Sequence, residues 1–227
     1  GAALSGLLIL AFTSSIDKRN LFFRYLALGI GVLYGGIWGH TNWEVILKFF
    51  NSLNTGLTEP ILNRDASFYM FLLPFYKEVN AFFIVILIIS IASLLLSLYS
   101  QDNMSGKLSY EEINILGVKI GRSVVIAGSL LFIALAFQKY IARYDLLFSD
   151  WGAVSGPGWT DVNVRLPAYL VTAIITFLVG LVFFLPTTRR RLIRYLKKYQ
   201  IQPYNLVPSV FGILFSGMLL VWLLILA

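Results

Sequence analysis

The chain has 227 residues, of which 58% are apolar and 13% charged, with a net charge of +7 and no cysteine. Soluble domains carry about twice that share of charge, so the expected solvent is lipid, in keeping with a mean hydropathy of +0.80. The missing thiols exclude disulfides, thiolate nucleophiles and thiolate metal sites in this chain, and a single histidine offers little to zinc.

Residues 1–12 are apolar but reach only about 18 Å as a helix, short of a hydrocarbon core about 30 Å thick. They are expected to form part of a span. The chain starts without methionine inside this apolar run and stops inside another, Leu223-Leu224-Ile225-Leu226-Ala227. Both ends therefore read as cut from a longer protein. Five further stretches are long enough, or nearly so, to cross: 21–39, 79–99, 121–137, 166–185 and 206–227. The expected fold class is all-α, a polytopic transmembrane helical bundle forming one domain over 1–227, with short interfacial helices in its outer loops.

Small residues recur at helical spacing in two of these spans. Ala27, Gly31, Gly35 and Gly39 share one helix face, and Ala168, Thr172, Thr176 and Gly180 share another. Small residues let backbones approach closely in lipid, so Gly31, Gly35, Gly39, Ala168, Thr172 and Gly180 are expected at helix contacts. No Asp, Glu, Lys, Arg or His lies well inside any span; Arg24 and Arg122 fall in first turns, where they can snorkel. Ion-coupled transport relies on ionisable groups at depth, so this pattern argues against it.

The charges are sorted by side. The connections 13–24, 100–122 and 186–206 hold twelve cations against four acids, net +8. The other two, 40–78 and 138–165, hold six cations against seven acids, net −1. Lys and Arg accumulate on the cytoplasmic side, so loops 13–20, 100–120 and 186–205 are expected in the cytoplasm of a multi-pass cell-membrane protein. The densest basic run, Arg189 to Lys198, sits at a membrane boundary, where attraction to anionic lipid accounts for it. Membrane lipid is thus an expected partner and nucleic acid is not.

The outer connection 40–78 is long for a bundle, where links take about 2–8 residues. Thr41 and Glu44 have capping-box spacing and predict a helix running to about Leu53. Trp43, Ile46, Leu47, Phe50 and Leu53 would form its apolar stripe, suited to a membrane interface. Asp65 is expected to cap a second short helix, which Pro74 should end or kink. The other outer connection, 138–165, has a turn-rich middle at Gly152 to Gly158 between Trp151 and Trp159. These tryptophans are expected to anchor it at headgroup level.

Several positions in the two outer loops form a joint pattern. It comprises Glu59-Pro60, Arg64-Asp65, Ser67-Phe68-Tyr69 and Leu73-Pro74-Phe75, then Arg143-Tyr144-Asp145-Leu146-Leu147-Phe148-Ser149, Gly152, Gly156, Thr160-Asp161-Val162 and Leu166-Pro167. The chain resembles uncharacterised protein family 0182, large multi-pass membrane proteins of bacteria and archaea. Leu62-Asn63 stands where that family has a Phe-Gly-like pair. The resemblance implies a seven-span membrane region followed by a large domain outside the cytoplasm, and it brings no established activity or cofactor.

Outer-face residues suited to binding are Asp65, Ser67, Tyr69, Arg143, Asp145, Trp159 and Asp161. Arg143 is expected to tie the loops together through Asp65 or Asp161 by charge-assisted hydrogen bonds. No catalytic residue, metal site or cofactor is assigned: Ser149 and Ser155 have no nearby histidine base, and calcium's roughly six to eight oxygens are not supplied by the spacing of Asp150, Asp161 and Asn163. The leading functional expectation is a scaffold or accessory module that anchors an extracytoplasmic domain of the same longer chain or docks with other membrane subunits. A transporter or channel, and an envelope lipid or glycan enzyme acting at the outer face, are the alternatives.

Overall fold

The computed structural model describes residues 1–16, 20–103, 110–148 and 156–186. The described fold is all-α, with the helices α1 (Ala2–Phe12), α2 (Leu21–Thr41), α3 (Trp43–Phe50), α4 (Leu73–Asn103), α5 (Tyr110–Asp145) and α6 (Leu166–Phe184). Among the described residues, four helical stretches are long and apolar enough to cross a membrane: Leu21–Thr41, Phe68–Ser97, Gly121–Phe148 and Asp161–Phe184. The expected span 206–227 and the basic loop before it, from 187, lie outside the described residues.

Hydropathy located the cores of these helices and missed their ends. α4 and α5 have 31 and 36 residues, about 46 and 54 Å at 1.5 Å per residue, far longer than the stretches 79–99 and 121–137. The periodicity of apolar residues stops marking a helix where it leaves lipid, but the backbone continues when a neighbour covers it. Here Ile141 and Tyr144, beyond the apolar stretch of α5, are buried against Leu73.

α4 is the central helix. Of its membrane window 44% is buried, against 17% for α2 and for α6. On one side Phe82 stacks on Tyr34 of α2 at 6.0 Å and lies 4.7 Å from Trp38, beside Ile86, Ala27 and Ile9. On the other, Leu87 and Ile91 pack on Ala127 of α5. α1 closes against α2 and α4, and α6 runs along α5.

The glycine ridges occupy these contacts. A Cβ added at Gly31 would collide with the end of the Ile9 side chain, and one at Gly35 with the Ser5 hydroxyl and, at 2.8 Å, with the Gly1 carbonyl oxygen. A Cβ added at Gly39 would lie 3.3 Å from the Gly1 nitrogen. At Gly180 an added Cβ would come within 3.0 Å of both Ile133 and the Ser129 carbonyl oxygen of α5. Thr172 is buried and returns its hydroxyl to the Ala168 carbonyl at 2.7 Å.

Three local expectations are corrected. The capping box does not form: α2 runs on through Thr41, whose hydroxyl donates back to the Ile37 and Trp38 carbonyls at 3.1 Å, and Glu44 pairs with Lys48 instead. α3 then starts at once and ends at Phe50. It docks through Phe49, which stacks on Phe75 at 3.9 Å, leaving Trp43, Leu47 and Phe50 exposed as on an interfacial helix. Finally, the segment after Asp65 is not a separate short helix: it runs through Phe68–Leu72 into α4, with Pro74 in the first turn of α4.

Pro74 is tolerated because a wide π-turn, Phe68–Leu72, precedes it. Proline lacks an N–H and its ring strikes the carbonyl four residues back, here that of Met70 inside the wide turn. A turn with five-residue hydrogen bonds moves that carbonyl aside. The same device recurs at Asp161–Arg165 ahead of Leu166-Pro167. Both π-turns lie at the same end of the bundle, which also carries α3 and residues 51–67 and is called the cap end below.

Candidate functional site

The loop between α3 and α4 is organised by two carboxylates. Asp65 Oδ1 accepts from the Ser67 amide at 2.8 Å and from the Thr55 hydroxyl and amide at 2.8 and 3.2 Å, and Oδ2 accepts from the Gly56 amide at 2.9 Å. Glu59 accepts from the Ile61 and Leu62 amides at 2.6 and 2.7 Å and from the Tyr69 hydroxyl at 3.3 Å. The strands of the loop meet through Ala66 N–H to the Leu57 carbonyl and Glu59 N–H to the Arg64 carbonyl. Asn63 makes the reversal, with φ of 52°.

Left-handed backbone costs most residues about 1–2 kcal/mol, and glycine and asparagine are the usual occupants. This explains Asn63 where the resembled pattern has glycine. Asn63→Val is expected to destabilise the protein by about 1–2 kcal/mol and Asn63→Gly to be neutral or mildly stabilising, as read by reversible unfolding in mixed micelles.

The donors around Asp65, the Ser67 amide and hydroxyl first and Thr55 next, hold its carboxyl well below the usual carboxylate range. A depressed folded pKa contributes stability above the unfolded value, about 4, and that contribution is lost as pH falls through the lower folded value. The Thr55, Gly56 and Ser67 amide resonances should therefore hold constant from pH 7 to about 4 and titrate only below it. Asp65→Asn should abolish the titration; a midpoint at or above pH 4 in the unmodified protein would contradict this account.

The C-terminal end of α5 supplies the second half of the cap. Tyr144 is 2% exposed and packs edge-on to Phe68 at 4.8 Å, with Tyr69 and Tyr140 about it. Arg143 lies over the Tyr140 ring at 4.1 Å and donates to the Tyr140 and Tyr144 hydroxyls at 2.9 and 2.8 Å. Arg64 lies over Phe68 at 5.5 Å. Asp145 pairs with Lys77, joining α5 to α4. Asp161 is buried and takes the Gly158 amide and Arg165, both at 3.0 Å.

The pairing of Arg143 with Asp65 or Asp161 is thus not observed. Each carboxylate is satisfied within its own loop or turn, and Arg143 turns to phenols. Ser67, Tyr69, Arg143 and Asp145 gather around the junction of α4 and α5, while Asp161 belongs to the start of α6. Trp159 stands 75% exposed. Lys77, Tyr140 and Tyr144 carry no chemical assignment from sequence. Tyr140, Arg143 and Tyr144 share a helix face at i, i+3 and i+4, a signal that was available; Lys77, 68 residues from Asp145, left none.

Residues 10–225 match the family described as Uncharacterised protein family (UPF0182). The chain belongs to UPF0182. It is 32% identical over 168 residues to a UPF0182 protein of Tropheryma whipplei, covering 73% of this chain and 17% of that protein. A UPF0182 protein of Pelobacter propionicus is 34% identical over 172 residues, covering 74% and 19%. One of Trichodesmium erythraeum is 28% identical over 211 residues, covering 91% and 22%. The chain thus spans about a fifth of the length of these UPF0182 relatives. No solved structure matches.

Proposed function

We propose that this UPF0182 chain is a membrane scaffold or accessory module. Its cap end lies outside the cytoplasm of the cell membrane, and there it anchors an extracytoplasmic domain of a longer chain or docks with other membrane subunits. The observation that carries the reading is how the bundle spends its interior polar groups. Asn20 donates to the Ser97 carbonyl at 3.1 Å, Ser93 to the Phe23 carbonyl at 3.0 Å and Asn80 to the Ala134 carbonyl at 3.1 Å. Each bond joins one helical segment to another, a use of polar side chains that holds helices together in lipid. Among the described residues the only buried carboxylate or cation is Asp161, at the cap end. A transport path would keep ionisable groups at depth, and an enzyme site would bring Asp65, Arg143 and Asp161 to one cleft. Neither arrangement is present among the described residues.

The length of the relatives supports an attached domain, and the charge sorting supports the orientation. Native mass spectrometry after gentle extraction tests the role: a larger chain or a stoichiometric membrane partner is expected, and a lone bundle with neither would count against it. The chain has no cysteine, so Thr55→Cys tests the side. It should react with an impermeant maleimide in intact cells; reaction only after lysis would reverse the orientation.

A further inference from the structure

α3 presents three sectors. Val45, Ile46 and Phe49 are half-buried on one side, where Phe49 stacks on Phe75 and meets Tyr76 of α4. Glu44 and Lys48 share a second side and pair with each other at 3.5 Å, both exposed. Between these lies an apolar sector of Trp43, Leu47 and Phe50, exposed at 53%, 50% and 74%, which no described residue covers. A helix folded down over its own bundle would set its polar side opposite the bundle and leave no apolar side free.

The helix also runs across the bundle. Ser93 lies opposite Phe23 and Phe82 opposite Trp38, so α2 and α4 are antiparallel and Asn42 stands about level with Glu78. From Asn42 to Phe49 the chain advances about 10 Å along α3. The partner of Phe49 is Phe75, which lies only about 4.5 Å beyond Glu78 along α4. α3 therefore travels more across the bundle axis than along it. It does so directly after Thr41, the end of the membrane-crossing stretch Leu21–Thr41. Its uncovered sector thus adjoins the surface that α2 shows to lipid, where Leu33 and Ile37 are exposed at 69% and 65%. Charge favours an apolar occupant over an anionic one, since residues 40–78 hold three cations against four acids and Lys48 is already paired.

We infer that α3 is seated in the lipid leaflet at the cap end, with Trp43, Leu47 and Phe50 among the acyl chains and Glu44 and Lys48 at the water. Apolar contact rather than headgroup charge holds it there. Because Phe49 joins it to Phe75, the seat fixes the depth at which α4 enters the membrane and at which residues 51–67 are held. It stands independently of the scaffold reading and of the side that the cap end occupies. The chain has no cysteine, so Leu47→Cys, Phe50→Cys and Lys48→Cys can each carry a single environment-sensitive fluorophore on the full chain in phosphatidylcholine vesicles. With Leu47→Cys and Phe50→Cys, brominated acyl chains should remove most of the emission and aqueous iodide little of it; with Lys48→Cys the order should reverse. Adding phosphatidylglycerol should change neither. Quenching of the first two labels by iodide would place the sector in water, and protection from both quenchers would place a protein surface, such as an attached domain, over it. A requirement for phosphatidylglycerol would make charge the attraction. Each of these three results would overturn the seat.

Discussion

Tyr144→Ala is expected to cost about 3–5 kcal/mol, the range for removing a large buried ring, and to release the cap from the bundle. The ring is 2% exposed and forms one packed unit with Leu73 and Ile141. Phe68 and Tyr69 reach it from the π-turn that opens α4, so one side chain on α5 holds the entry of α4 in place. Its hydroxyl also accepts from Arg143. Tyr144→Phe separates the two roles: the ring stays, Arg143 retains Tyr140, and the loss should be about 1–2 kcal/mol. Tyr25→Ala, at a ring 61% exposed, is the control and should change stability by less than about 1 kcal/mol. Detergent-to-SDS unfolding titrations measure all three; equal effects at Tyr144 and Tyr25 would remove Tyr144 from its keystone position.

Gly35→Leu is the second large effect, expected at about 1–3 kcal/mol from overpacking, with α1 displaced from α2. The obstacle at Gly35 is rigid, since an added Cβ meets the Ser5 Cβ and the Gly1 carbonyl oxygen, each at 2.8 Å. Gly31→Ala should cost less, because the atom it meets is the end of the Ile9 side chain, which can change rotamer. A direct readout is available without background thiols. A Cβ at Gly36 would lie 4.0 Å from that of Ala2, inside the range for a disulfide. The pair Ala2→Cys and Gly36→Cys should oxidise readily, and adding Gly35→Leu should abolish the crosslink. A crosslink that survives would show that α1 does not rely on the glycine face.

Much of the scaffold was legible from residue order. Lipid solvation, the all-α class and the cores of four crossing helices follow from local sums of hydropathy, and Gly31, Gly35 and Gly180 were recognisable because small residues four apart must share a face. Helix ends were not legible. Thr41 and Glu44 have capping-box spacing, yet α2 consumed the Thr41 hydroxyl; Pro74 looks like a breaker, yet a π-turn absorbed it. In both cases a local rule competed with a neighbouring element that the rule does not include.

The cap divides the same way. Residue order showed that its loops hold acids and arginines in a pattern shared with UPF0182, and the family match agrees. Which charge meets which was a tertiary outcome. Asp65 was taken by amides of its own loop, Asp145 by Lys77 across 68 residues, and Arg143 by Tyr140 and Tyr144. Hydropathy acts residue by residue and adds along the chain, so sequence alone determined that this protein is built for lipid. Hydrogen bonds and ion pairs require two groups at contact distance and in the right direction, and for Lys77 and Asp145 only the packing of α5 against α4 brought them together.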